Sequence, residues 1–424
     1  MTSEDSRAAL PSRRRFLGQA GATSVGLGAA LLSGCADKTA QAAQAAQSTA
    51  AASPGGCEPA SASAVLPFYG EHQAGIVTAA QKFIYFLVLD LHSTDLDEIR
   101  DVFRRWTTFA ALLTQGKNSQ PYSSNGYIPP TDTGEADSLG AHRLTLTFGV
   151  SPAFLRKLGL DKQAPPEFTD LPLFPRDQLR AELSGGDICI QSCADDPQVA
   201  FHAVRQLVRH ARSSVTMRWS QAGFSSSDRA SDTPRNLFAF KDGTANAETL
   251  QQADRHIWVQ TPGWLQGGSY LVARKIVMHL ETWDRTSARG QDDTFGRHRS
   301  SGAPLGGKNE NDALDLTAKD AKGQPLIPAD SHVALAHRTG VKMLRRSYSY
   351  ASGIDPLTGQ FDAGLMFVSF QQSPQQFIAI QSALGRVDAM NEYITHIGSG
   401  LFACFGGVQD GRYLGQSLLE KQHG

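Results

Sequence analysis

Four short stretches in the second half of this 424-residue chain carry polar side chains that a hydrophobic core does not need. Asp242 lies in NLFAFKDGTAN (236–246), His332 in DSHVALAHRTG (330–340), Arg345 in MLRRSYSY (343–350) and Glu392 in NEYITHIGSG (391–400). Together these types suit one kind of chemistry. A neutral imidazole can ligate haem iron on one face, and it donates more strongly when a carboxylate accepts its other N–H. Peroxide on the opposite face needs an acid/base to move its proton and a fixed cation to stabilise charge as the O–O bond breaks. Each residue also has an ordinary reading. Asp242-Gly243 is a common turn pair. Arg345, with Arg346 as its competitor, suits a surface salt bridge, and Glu392 suits an exposed helix position.

The surrounding elements must place these groups. KFIYFLVLDL (82–91) reads as a buried strand, and residues 95–116 have helical spacing with Ile99, Phe103, Trp106 and Leu112 on one side. HRLTLTFGVS (142–151) is a strand, SPAFLRKLGL (151–160) a short Ser-capped helix and DICIQSCADD (187–196) a strand. DPQVAFHAVRQLVRHA (196–211) is an amphipathic helix and VTMRWSQAGF (215–224) another strand. That order is the βαββαβ grammar of a ferredoxin-like unit. The second half repeats it through GSYLVARKIVMHLETWDR (268–285), AGLMFVSFQ (363–371), the Ser-capped SPQQFIAIQSAL (373–384) and GLFACFGG (400–407), with a long polar loop over 285–331. The expected fold class is α+β: two ferredoxin-like domains with antiparallel sheets, at 65–230 and 231–424.

Charged residues make up 19% and hydrophobic residues 41%, with a formal net charge of −1, so nothing favours nucleic acid or an anionic membrane surface. Ser12-Arg13-Arg14-Arg15-Phe16-Leu17 followed by an apolar Gly/Ala-rich stretch matches a twin-arginine export signal over 1–35. Leu32-Ser33-Gly34-Cys35 is similar to a lipoprotein cleavage box, in which case Cys35 would carry a lipid anchor; cleavage among the Ala-x-Ala sites near Ala40 to Ala52 is the alternative. Residues 36–64 read as a flexible Ala/Gln/Ser linker. The expected location is the periplasm or cell envelope. The five cysteines show neither a C-x-x-C pair nor zinc spacing, and Cys189 and Cys193, four apart on one strand, are too far apart to bridge.

FYGEHQAGI (68–76), GGDICIQSCADDP (185–197), TPRNLFAFKDGTAN (233–246), TFGRHRSSGAPLG (294–306), DSHVALAH (330–337), MLRRSYSY (343–350) and FDAGLMFVSFQ (361–371) resemble the dye-decolourising peroxidases. The resemblance is to the exported deferrochelatase/peroxidase branch in particular, and covers residues 65–424. It implies haem b in the C-terminal domain, hydrogen peroxide as oxidant, and an organic reductant or haem itself as substrate. Iron-uptake components and a second copy of the chain (a homodimer) would be partners. The alternative is a non-catalytic haem carrier. By motif, His332 corresponds to the proximal iron ligand, with His337 as a second candidate. Asp242 corresponds to the distal acid and Arg345 to the distal arginine. Gly243, Thr244 and Ala245 would lie against the haem, and His337, Arg338 and Thr339 at its edge. Glu392 would be the proximal carboxylate, with Asp362 in reserve. Two departures stand out. Ala239 replaces the first Gly of the G-x-x-D-G signature, which is harmless unless that position needs positive φ. His337-Arg338-Thr339 lacks the usual Pro, and the spacer to Arg345 is short.

Overall fold

The computed structural model describes residues 63–225 and 232–420. The export signal, Cys35 and nearly all of the 36–64 linker lie outside the described residues, as does the expected boundary at 230/231. The first half runs β1 (Phe83–Leu91), α1 (Leu96–Leu113), β2 (Thr145–Val150), α2 (Pro152–Lys157), β3 (Ile188–Ala194), α3 (Pro197–Arg209) and β4 (Val215–Phe224). The second half adds α4 (Asn246–Gln251), α5 (Ala253–His256), β5 (Ser269–Met278), α6 (Leu280–Trp283), α7 (Ala288–Phe295) and α8 (His332–Arg338). It continues with β6 (Leu344–Arg345), β7 (Tyr348–Ile354), β8 (Phe361–Gln371), α9 (Pro374–Val387), β9 (Ile394–Cys404) and α10 (Gln416–Leu419).

Local chemistry accounts for the helix starts. Asp95, Ser151, Asp196 and Ser373 each accept backbone N–H groups at the start of α1, α2, α3 and α9, and Ser373 with Gln376 completes a capping box. The apolar stripe of α1 runs through Ile99, Phe103 and Trp106 as its spacing predicts, but Leu113 rather than Leu112 is buried. The 285–331 segment is not loop throughout, because it contains α7. Strand β9 begins six residues before the GLFACFGG segment.

All strand pairs are antiparallel, and the fold is α+β. Spatial order is β5-β9-β2-β3-β1-β4-β7-β8-β6, with β5 also paired to β8. Each half contributes one four-stranded set of ferredoxin-like order, β4-β1-β3-β2 and β9-β5-β8-β7. The sets join edge to edge through β2–β9 and β4–β7, and the β5–β8 pairing closes the ring, which protects every edge except short β6.

Where both faces of a strand are buried, a near-continuous apolar run is required, and β1, β3 and β5 carry one. On β1, Ile84, Phe86 and Val88 join Leu271, Met366, Val368 and Phe402 in one cluster, while Leu87, Leu89 and Leu91 pack with α1 and α3 in another. Gly149 belongs to this economy. A Cβ there would come within 3.0 Å of Cys404 Sγ and 3.1 Å of Cys189 Sγ, so two free thiols occupy its side-chain space. The same alternation sets up the site: Arg274, Ile276 and Met278 of β5, Leu365 and Phe367 of β8, and Ile394 and His396 of β9 turn toward a cavity between the sheet and α8 and α9. Among the described residues no helix is long and apolar enough to cross a membrane.

Candidate active site

The cavity has a volume of about 260 Å³ and opens to solvent. Its walls are mainly apolar, with Phe238, Phe295, Phe367, Phe377, Ile380 and Leu384 prominent. Polar groups enter it in two sets.

The first set is built on helices. His332 is the first residue of α8, and its Nδ1 donates to Asp388 Oδ2 at 2.7 Å. Asp388 caps the 3₁₀ turn that follows α9, its Oδ1 accepting Met390 N–H at 2.9 Å. One carboxylate therefore closes a turn and orients an imidazole. That hydrogen bond fixes the tautomer and leaves Nε2 as the free donor atom of a ring that lines the cavity. The carboxylate of this pair is Asp388, not Glu392. Glu392 lies four residues further on, at the end of the same turn, where it points to solvent. Asp362 is not the partner either, since it sits 4.0 Å from Lys275 Nζ on the sheet.

The second set comes from the sheet and the loop before α4. Arg345 ends β6, beside Ser369 of β8, and its Nη1 lies 3.0 Å from Asp242 Oδ1. Asn246 holds the Arg345 backbone from both sides, donating to its carbonyl at 2.7 Å and accepting its N–H at 3.0 Å. The competitor Arg346 is buried and turns away, donating to Thr78 O and Gln81 Oε1. Asp242 is held by its own N–H, which donates to Pro234 O at 2.8 Å. Among the described residues Asp242 Oδ2 has no partner, so one oxygen is pinned by a cation and the other is available. This arrangement can receive and return a proton next to a fixed positive charge.

Thr244, Ala245 and His337 also line the cavity. Gly243 supplies the turn behind it, at φ 117°. Arg338 and Thr339 lie off the cavity wall: Arg338 donates to Ala329 O at 2.6 Å, and Thr339 closes α8 by donating to Ala336 O at 2.7 Å. The signature turn does require positive φ where Ala239 stands, at 68°.

Sequence reasoning missed Asp388, whose only local sign is an Asp at the start of a turn. It also missed Arg274 and His396, which share the cavity wall. Arg274 is buried against Asp177. Burial pushes His396 down to about 3, with Arg274 and His332 adding repulsion, so its ring is neutral. The His332 imidazole, with Nε2 left free, a carboxylate behind it and an apolar-lined cavity, fits the proximal half of a haem site.

The Dyp-type peroxidase C-terminal family model matches residues 233–409, and the corresponding N-terminal model matches 73–225. The deferrochelatase of Shigella sonnei (strain Ss046) is 37% identical over 429 residues, covering 96% of this chain and 97% of that protein. That of Escherichia coli (strain K12) is 37% identical over 428 residues with the same coverage. Among solved structures, a DyP-type peroxidase from Streptomyces coelicolor superposes with a TM-score of 0.80 at 37% identity, over 86% of this chain and 100% of that one. Ferric DtpA from Streptomyces lividans gives 0.79 at 36% identity, with the same coverage.

Two outcomes follow from this geometry. A left-handed L-residue costs about 1–2 kcal/mol, against about 0.5–1 kcal/mol for the extra freedom of an unfolded Gly. Ala239→Gly should therefore raise stability by roughly 1 kcal/mol or less in denaturant melts; a lower midpoint would contradict the strain. For His396 the folded value lies near 3 and the ordinary value at 6.5, so between those pH values the unfolded chain binds the extra proton. Stability should fall as pH drops through that window, by up to about 1.4 kcal/mol per unit. His396→Gln should flatten the slope of unfolding free energy between pH 6.5 and 4, and an unchanged slope would refute a buried neutral His396.

Proposed function

The chain belongs to the Dyp-type peroxidase family and is a haem peroxidase, and from that premise we propose that His332 would hold the iron of a haem b and that Asp242 and Arg345 would act on hydrogen peroxide. The observation that carries this reading is the pairing within one apolar-lined cavity: imidazole with carboxylate on the helical side, carboxylate with guanidinium on the sheet side.

Haem, when bound, would supply the redox-active iron at which peroxide is reduced. The chain's residues do the rest. Asp388 keeps His332 in the tautomer that presents Nε2, and strengthens it as a donor. Asp242 Oδ2 takes the proton from the inner peroxide oxygen and returns it to the outer one. Arg345 holds Asp242 Oδ1 in place and stabilises the negative charge that develops on the departing oxygen. The aromatic and aliphatic walls exclude water, which strengthens each of these interactions.

Two relatives named deferrochelatase align over nearly their whole length. The proposal therefore includes haem as a substrate from which iron is released for bacterial iron uptake, beside an organic reductant. Export through the twin-arginine signal to the periplasm, a lipid on Cys35 and a homodimeric assembly belong to the same reading. A pure haem carrier needs His332 and a pocket only; the ion-paired Asp242 and Arg345 favour the enzyme.

The test is a set of four variants. His332→Ala should lose haem and His337→Ala should keep it. Asp242→Asn and Arg345→Leu should keep haem but slow the spectral change on stopped-flow mixing with hydrogen peroxide, by ~10²–10⁴ for a lost acid/base and ~10²–10³ for a lost charge-stabilising donor. Both reacting at the wild-type rate would leave a carrier as the better account.

A further inference from the structure

Asp242 is flanked by Lys241 and Thr244, and both side chains end on the same carboxylate. Thr244 Oγ1 donates to Glu310 Oε1 at 2.9 Å, and Lys241 Nζ pairs with Glu310 Oε2. Glu310 comes from the segment between α7 and α8, distant in sequence from the turn it holds. Its side chain is 15% exposed and that of Lys241 is 23%, so the pair is not a solvated surface bridge.

The surrounding backbone is shaped for this contact. Arg297 Nη1, close behind α7, donates to Gly302 O at 2.7 Å and to Glu310 O at 2.9 Å, fixing the segment. Gly302, at φ 76°, leaves a groove through which the Lys241 stem passes; a Cβ there would lie 2.8 Å from Lys241 Cδ. Burial disfavours the charge on Glu310, but Lys241, Thr233 and Thr244 more than offset it and hold the carboxyl below its ordinary range.

We infer that Glu310 is a positioning residue for Asp242: it clamps Lys241, next to the acid, and Thr244, two residues beyond it, and neutralises the Lys241 cation. The inference rests on the catalytic reading of Asp242. The charged and titratable groups that share the cavity with Asp242 are Lys241 on its own turn, Arg345 on β6 and Lys342 just before it. Arg297 behind α7, His332 and His337 on α8, Asp388 after α9, and Arg274 and His396 on the sheet complete the set. Among these, Lys241 is the cation whose partner Glu310 supplies.

Three haem-loaded variants test it, with Asp242→Asn run alongside. Glu310→Ala releases both flanking side chains. It should slow the reaction with hydrogen peroxide by about 10- to 100-fold, as a misplaced catalytic group does, while haem stoichiometry is kept and amide hydrogen exchange over 236–246 rises. Glu310→Gln keeps the shape and removes the charge. The uncompensated Lys241 then favours an ionised Asp242, so the acid limb of the pH–rate profile should move to lower pH by about one unit. Lys241→Met combined with Glu310→Gln should restore the limb. Wild-type rate and pH profile in both single variants, with Asp242→Asn slow, would overturn the inference alone. So would failure of the double variant to restore the profile. An Asp242→Asn protein that reacts like wild type would instead overturn the catalytic reading of Asp242.

Discussion

The hydrogen bond from His332 to Asp388 is the constraint on which the site depends. It joins the first residue of α8 to the turn after α9, 56 residues apart, and it is reinforced by the Ala389 N–H, which donates to Asp330 O at 3.0 Å. The two helices are thereby fixed as one wall. Without that docking, the imidazole would keep neither its tautomer nor its direction. The other wall joins a strand to a loop: β6 lies on the edge of β8 in the register Arg345↔Ser369, and Asn246 bonds the Arg345 backbone on both sides. The cavity is the space left between a wall held by one buried carboxylate and a wall held by a strand ladder and the side chains that fix the loop beside it.

Electrostatics divides along the same line. Each wall carries one carboxylate, and each carboxylate has a different partner. Asp388 is almost wholly buried and bound to an imidazole and a backbone N–H, so it orients. Asp242 is less buried, pinned at one oxygen by Arg345 and open at the other, so it can exchange a proton. Placing two acids in different surroundings lets one pocket hold both a carboxylate that orients and one that can exchange a proton.

Much of this was legible in the sequence because it is local. The continuous apolar run of β1 and the Asp and Ser caps of α1, α2, α3 and α9 each announce themselves within a few residues. The βαββαβ order is complete in the first half, whereas in the second half three of the four strands are read and β7, which begins inside the MLRRSYSY motif, is not; His332, Asp242 and Arg345 stand in recognisable motifs. The illegible parts are long-range. Asp388 reads locally as a turn cap, which it also is, and only the approach of α8 reveals its second oxygen at work. Glu392 has the right chemistry, but the turn after α9 points it to solvent. Glu310 lies in a polar segment with no periodicity, and its meaning comes from a turn 66 residues earlier. Ala239 shows the reverse: the sequence raises the question of positive φ, and only the backbone answers it.

The central claim is that Asp388 makes His332 a strongly donating, fixed ligand. The iron–imidazole stretching frequency of the ferrous, haem-loaded protein reports this directly by resonance Raman spectroscopy. Asp388→Asn should lower that frequency, because an amide accepts the imidazole N–H more weakly than a carboxylate, while Glu392→Gln should leave it at the wild-type position. An unchanged frequency in Asp388→Asn, or a drop in Glu392→Gln, would contradict the account.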